Sequence, residues 1–274
     1  MSLAEIRDSF EVFLLAQGGP QDPTVEQQTF ELAGLSACRF IPNGASAQSP
    51  ILFCHGGGYQ IGSITSHASL MSRIASVCKR PVIGFNYRLA PEHRCPAASD
   101  DCMAVYTSLR EQGVTPHTLM GDSAGGALAL GTAMQARDRQ MPLPQNLVLI
   151  SPWLDLTMSG ASYETRRDRD IFSKPEQLRL MARTYIGRNG DATTPLASPV
   201  FGDLRGLPPI LVHAGDADIT RDDAILLSAK AEQQQTKVSV RLFPDMVHHF
   251  QMFSALPEAA QSLAEIAVFV NAAR

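Results

Sequence analysis

Apolar residues recur along this chain in two rhythms. Leu3, Ile6, Phe10, Phe13 and Leu14 return at helical spacing, which predicts one amphipathic helix over residues 2–17, ended by Gly18-Gly19-Pro20. Residues 26–41 alternate loosely and predict one or two edge strands ahead of Pro42-Asn43-Gly44. After that, short apolar runs take over at 51–54, 81–86, 119–120, 147–150 and 210–213, and a further strand is expected at 238–243. Such runs suit strands covered on both faces. Between them lie helical stretches at 67–79, at 96–112 with Pro96 at the start, at 124–136 with mostly small residues, and at 257–273. Strand and helix alternate from residue 50 onward, so the expected fold is α/β, with a mostly parallel central sheet flanked by helices.

One region breaks the alternation. Between Leu156 and Leu207 there is no convincing strand, only a charge cluster, a helix candidate at 175–185 and a loop rich in Gly, Pro and Ser. An insertion of that length between two sheet strands is expected to cover a site. The organisation is therefore a single domain over 1–274, with cap elements from about 1–25 and 157–206.

Composition narrows the functional classes. The 274 residues suffice for one large α/β domain or two small ones; 45% are apolar and 18% charged, as in a globular protein. A formal net charge of −4 gives no footprint for nucleic acid or an anionic membrane. Arg166, Arg167 and Arg169, with Asp168 among them and Asp170 next in line, read as a solvated loop or helix end. Cys38, Cys54, Cys78, Cys95 and Cys102 are odd in number and fit no zinc spacing, so buried reduced thiols are expected. The acidic N-terminal stretch does not resemble a signal peptide, and no apolar run is long enough to span a bilayer; a soluble, cytoplasmic protein is expected.

The candidate chemistry lies in four strings. Residues 121–126 read Gly-Asp-Ser-Ala-Gly-Gly, and a serine with glycines two positions away on each side forms a nucleophile elbow between strand and helix. The turn would expose the Ser123 hydroxyl at the carboxyl edge of the sheet, where a helix begins and developing negative charge is favoured. Upstream, His55-Gly56-Gly57-Gly58 can offer backbone N–H groups to an oxyanion; the expected donors are Gly56, Gly57 and Ala124, with His55 bracing the loop. Of seven histidines, His248 and His249 follow the last strand, where the base belongs in the order Ser, acid, His; His248 is preferred, with His249 lining the pocket or pointing elsewhere. The acid belongs after the strand at 210–213, where Asp216, Asp218, Asp222 and Asp223 lie, and spacing alone does not choose between Asp216 and Asp218. Nucleophile, base and acid in this order suit acyl transfer to water, with no cofactor and no metal. The base must be neutral to act, so activity should fall as pH drops through about 6.5.

These strings, together with Tyr87-Arg88-Leu89-Ala90-Pro91-Glu92-His93, Pro96-Ala97-Ala98, Ser151-Pro152-Trp153-Leu154-Asp155-Leu156, Ser198-Pro199, Leu207-Pro208-Pro209 and Met246-Val247-His248, run in order over nearly the whole chain. They resemble the hormone-sensitive-lipase group of α/β-hydrolases, the bacterial esterases with HGGG and GDSAGG motifs. The resemblance implies the α/β-hydrolase fold with a small helical cap, and a serine carboxylesterase acting on short-chain acyl esters of small molecules. A homodimer is compatible with it. The group's acid loop, of the form Asp-Pro-Leu-Arg-Asp, falls on Asp218-Ile219-Thr220-Arg221-Asp222 and implies Asp218 as the acid, although Ile219 and Thr220 depart from Pro-Leu. It also implies structural roles for Asp122 and for the Tyr87–His93 string, which would brace the oxyanion loop. The HGGG loop begins earlier than is usual in the group, so the N-terminal part of the cap is short and an open cleft for small or bulky acyl groups is expected. A deacetylase or lactone hydrolase would use the same chemistry. A non-catalytic receptor, as in the plant gibberellin receptors that resemble this fold without the histidine, is disfavoured by His248; a peptidase is disfavoured by the lack of a propeller or other large specificity module.

Overall fold

The computed structural model describes residues 2–45 and 49–272. Its strands are β1 (Val25–Leu32), β2 (Leu35–Pro42), β3 (Ile51–Cys54), β4 (Val82–Phe85), β5 (Thr118–Asp122), β6 (Asn146–Ile150), β7 (Ile210–Gly215) and β8 (Val238–Phe243). They form one sheet in the order β1-β2-β4-β3-β5-β6-β7-β8. The β1–β2 and β2–β4 pairs are antiparallel and every other pair is parallel. Every residue of β3 to β7 is buried, which is why these strands read as continuous apolar runs rather than alternations. The loosely alternating stretch resolves into two strands, because Ala33-Gly34 supplies two positive-φ residues for a tight hairpin.

The helices are α1 (Leu3–Gly18), α2 (Ile64–Cys78), α3 (Ala97–Glu111), α4 (Ala124–Asp138), α5 (Ser162–Thr165), α6 (Pro175–Ile186), α7 (Arg221–Gln233) and α8 (Pro257–Ala272). Ser63 starts α2 three residues before the apolar pattern does, through a capping box with Ser66. Ala273, expected to end the last helix, lies outside the described residues. α4 is almost wholly buried; its run of Ala and Gly lets it lie close to β5 and β6. No described helix is long and apolar enough to cross a membrane. All five cysteines carry free thiols.

Two excursions reach over the carboxyl edge of the sheet. α1 is tied down by Arg7, whose guanidinium donates to the carbonyls of Gln60 and Ala90 and to the Glu92 carboxylate. The insertion after β6 contains no strand; it carries α5, α6 and a short 3₁₀ turn at Pro199–Phe201. Its base is fixed by the buried Asp223 carboxylate, which accepts from the N–H of Leu154 and Asp155 and from the Tyr163 hydroxyl. The position of Asp223 suggests only a helix-terminal acid; its burial follows from these three donors.

Candidate active site

The turn between β5 and α4 holds Ser123 at φ 50°, ψ −121°, a strained conformation for a non-glycine residue. The flanking glycines are required by contact. A Cβ on Gly121 would lie 2.2 Å from the carbonyl oxygen of Gly125, and one on Gly125 2.0 Å from that of Cys54. The strained turn therefore exists only because both positions lack side chains.

Three loops converge on the Ser123 hydroxyl. His248, from the loop after β8, places Nε2 2.9 Å from Ser123 Oγ. Its Nδ1 lies 3.0 and 3.1 Å from the two carboxylate oxygens of Asp218, from the loop after β7. Thr220 holds that carboxylate, donating its backbone N–H at 2.7 Å and its hydroxyl at 2.9 Å to Asp218 Oδ1. Asp216 faces away, toward Arg169 at 3.0 Å and Arg221 at 3.2 Å.

Burial by itself would lower the His248 pKa. The charge and hydrogen bond of Asp218, with the charges of Asp170 and Asp122, oppose it, and the net direction is upward from the ordinary histidine value. Burial raises the Asp218 carboxyl, but His248 and Thr220 together hold it below its ordinary range.

Beside this chain of three lies a second buried network around the elbow acid. Asp122 Oδ2 accepts from His249 Nδ1 at 2.7 Å and lies 3.3 Å from His67 Nε2. Burial pulls His249 down to about 4, so its ring is neutral at physiological pH. The His249 ring stands perpendicular to that of His248 at 4.0 Å and lines the pocket. His55 is also buried and neutral, at about 3, because burial disfavours its charge. It stacks on Tyr87 at 4.2 Å, and the Tyr87 hydroxyl donates to the His55 carbonyl at 2.8 Å. Through this contact the Tyr87–His93 string bears on the glycine loop.

The same network corrects one expected donor. The Gly56 N–H points at Asp122 Oδ1, 2.9 Å away, and so is already spent. A Cβ on Gly56 would meet Asp122 Oδ2 at 2.3 Å, so the glycine is there to let the acid approach. Gly57 and Gly58 line the pocket beside Ser123, and among the described residues neither N–H has an acceptor. Both have positive φ, 115° and 57°. Ala124 opens α4, where the first N–H groups have no intrahelical partner. The geometry thus presents Gly57, Gly58 and Ala124, not Gly56.

The pocket over Ser123 measures about 180 Å³. One wall is Gly57, Gly58, Ile61, His248 and His249; the other comes from Phe10 of α1 and from Phe172, Ser173, Gln177, Leu178 and Met181 of the insertion. Among the described residues, no group of three or more His, Cys, Asp or Glu is placed to hold a metal ion.

A residue that sequence reasoning placed in solvent completes the surroundings. Asp170 is fully buried, not part of a solvated charge run. Burial raises its carboxyl, His248 lowers it and Asp218 raises it again, with a net upward direction. Alternating charge at 166–170 gives no hint that Asp170 turns inward while Arg169 reaches out to Asp216 and Asp245.

Known proteins resemble this chain in sequence and in fold. Residues 51–252 match the model of a family described as having the alpha/beta hydrolase fold. The chain is 39% identical over 255 residues to an esterase of Acinetobacter venetianus, covering 92% of this chain and 84% of that one. It is 40% identical over 226 residues to an acetyl-hydrolase of Streptomyces hygroscopicus, covering 81% and 75%. A crystal structure of an esterase from the bacterial hormone-sensitive lipase family superposes with a TM-score of 0.95 at 34% identity, over 100% of this chain and 92% of that one. On sequence and on structure alike, this chain belongs to the α/β-hydrolase fold family, in its hormone-sensitive-lipase group of ester hydrolases.

Proposed function

We propose that this protein is a serine carboxylesterase that hydrolyses short-chain acyl esters of small molecules through an acyl-enzyme. The observation that carries the reading is the unbroken contact from Asp218 through His248 to the Ser123 hydroxyl. Ser123 Oγ attacks the ester carbonyl as His248 Nε2 takes its proton; Asp218 holds the tautomer with Nδ1–H and stabilises the imidazolium. The N–H groups of Gly57, Gly58 and Ala124 receive the oxyanion, and His248 then protonates the departing alkoxide. Water repeats the sequence to release the acid and free Ser123.

Short acyl groups are favoured by the size of the pocket. About 180 Å³ lies below the roughly 300–1,000 Å³ of sites for drug-sized ligands. Phe10 of α1 and Met181 of the insertion line that pocket, so both segments bound the acyl site as a cap would. On p-nitrophenyl esters of rising acyl length, kcat/KM should peak at acetyl to butyryl and fall for octanoyl and longer. A maximum at long chains would remove the short-chain reading. The acetyl-hydrolase relative favours a deacetylase as the natural form of the same chemistry.

The pH dependence follows from His248. The proton must be off this ring for it to act as base, and the net pull of the neighbouring carboxylates is upward. The acid limb of kcat/KM should therefore have its midpoint above the ordinary histidine value of about 6.5, not at it. Rates across pH 4–9 check this; a midpoint below about 6 would show that burial outweighs the carboxylates.

A further inference from the structure

We infer that Asp170 is a positioning residue for the reaction: its carboxylate locks the Asp218 loop and the His248 loop to the cap and adds a negative charge from the cap near the imidazole. The inference rests on the serine-esterase reading above.

The two oxygens of Asp170 do different things. Oδ1 accepts from the N–H of Phe172 at 2.9 Å and of Ser173 at 3.0 Å, a local turn that any loop aspartate makes. Oδ2 accepts from the N–H of Ile219 at 3.1 Å and of His248 at 3.4 Å, which lie 49 and 78 positions away in the chain. A turn-forming role explains the first oxygen and leaves the second unexplained. Ile219 follows Asp218 directly, and the other donor is His248 itself. One side chain therefore fixes the acid loop, the base loop and two residues of the pocket wall against one another.

The carboxylate and its two distant donors are buried, so removing the acceptor has consequences. Asp170 is fully buried and His248 is 2% exposed. Without the carboxylate, up to four N–H groups are left without their acceptor at once. Around His248 the facing groups are Ser123 and Asp122 from the elbow, Asp218 and Thr220 from the acid loop, neutral His249 from its own loop, and Asp170 and Phe172 from the insertion. Three of these are carboxyl groups, and Asp170 is the one supplied by the cap.

The test uses the full-length protein and p-nitrophenyl acetate. Wild-type hydrolysis and its loss in Ser123→Ala establish the underlying reading; failure there removes the proposed function and not only this inference. In Asp170→Asn, kcat should fall about ten- to a hundredfold while KM changes less than about threefold. The acid limb of kcat/KM should move down by about half to one pH unit, since a negative charge near the imidazolium is gone. Asp170→Glu keeps the charge but shifts it by one carbon, so kcat should fall while the limb stays at its wild-type position. Asp170→Ser, smaller and neutral, repeats the limb measurement should the asparagine variant not fold. An unmoved limb in the neutral variants, or one that moves as far in Asp170→Glu, would overturn the inference, as would wild-type kcat in all three.

Discussion

Ser123→Ala should abolish esterase activity while leaving the fold in place. Loss of a nucleophile that works as a unit with its base costs about 10⁵- to 10⁶-fold in kcat, so the remaining rate should fall near the level given by binding and the oxyanion donors alone. The variant should also fail to be labelled by a phosphonofluoridate, which reports the hydroxyl directly. Stability should be little affected. The backbone at position 123 is held at φ 50° by the packing of Gly121 and Gly125, and alanine meets the same strain as serine. The hydrogen bond that the substitution removes, from Ser123 to His248 Nε2, faces the pocket, where water can replace it. Thermal midpoints within a few degrees of each other would check this, and a small rise in the variant fits the same argument, because relieving an active site often stabilises a protein. Retained turnover would assign the chemistry to another group and end the serine reading.

The sheet is legible in the sequence because its signal is local. β3, β4, β6 and β7 are buried on both faces, and burial of that kind writes itself as an unbroken apolar run. The elbow is legible for a related reason: Gly121 and Gly125 are demanded by contacts of 2.2 and 2.0 Å that depend only on the turn itself and the adjacent strand. What spacing does not reach are bonds between distant loops. Gly56 and Gly57 look alike in sequence, yet one N–H is consumed by Asp122, 66 positions on, while the other belongs to a residue that lines the pocket and has no acceptor among the described residues. Asp170 sits in a run of alternating charges that reads as surface, and its partners Ile219 and His248 come from two other loops. Nothing in a local pattern marks an acceptor whose donors arrive only through folding.

The choice between two aspartates that spacing leaves open carries the second large effect. Asp218→Asn should lower kcat by about 10⁴, roughly 5 kcal/mol of transition-state stabilisation, while Asp216→Asn should stay within about threefold of wild type. The reason lies in Thr220. Its N–H and hydroxyl both donate to Asp218 Oδ1, so an asparagine would place its carbonyl oxygen there. The amide NH₂ would then occupy the Oδ2 position, 3.1 Å from His248 Nδ1, where two donors would meet. The ring would relieve this by moving its proton to Nε2, and a protonated Nε2 cannot accept the Ser123 proton. Asp216 has no such reach: its carboxylate is about one-third exposed and engages Arg166, Arg169 and Arg221 at the surface. Ion pairs of that kind contribute about 1 kcal/mol or less to stability and none of the chemistry. Steady-state kinetics on the two variants separate the assignments, and the opposite ranking would transfer the acid's role to Asp216.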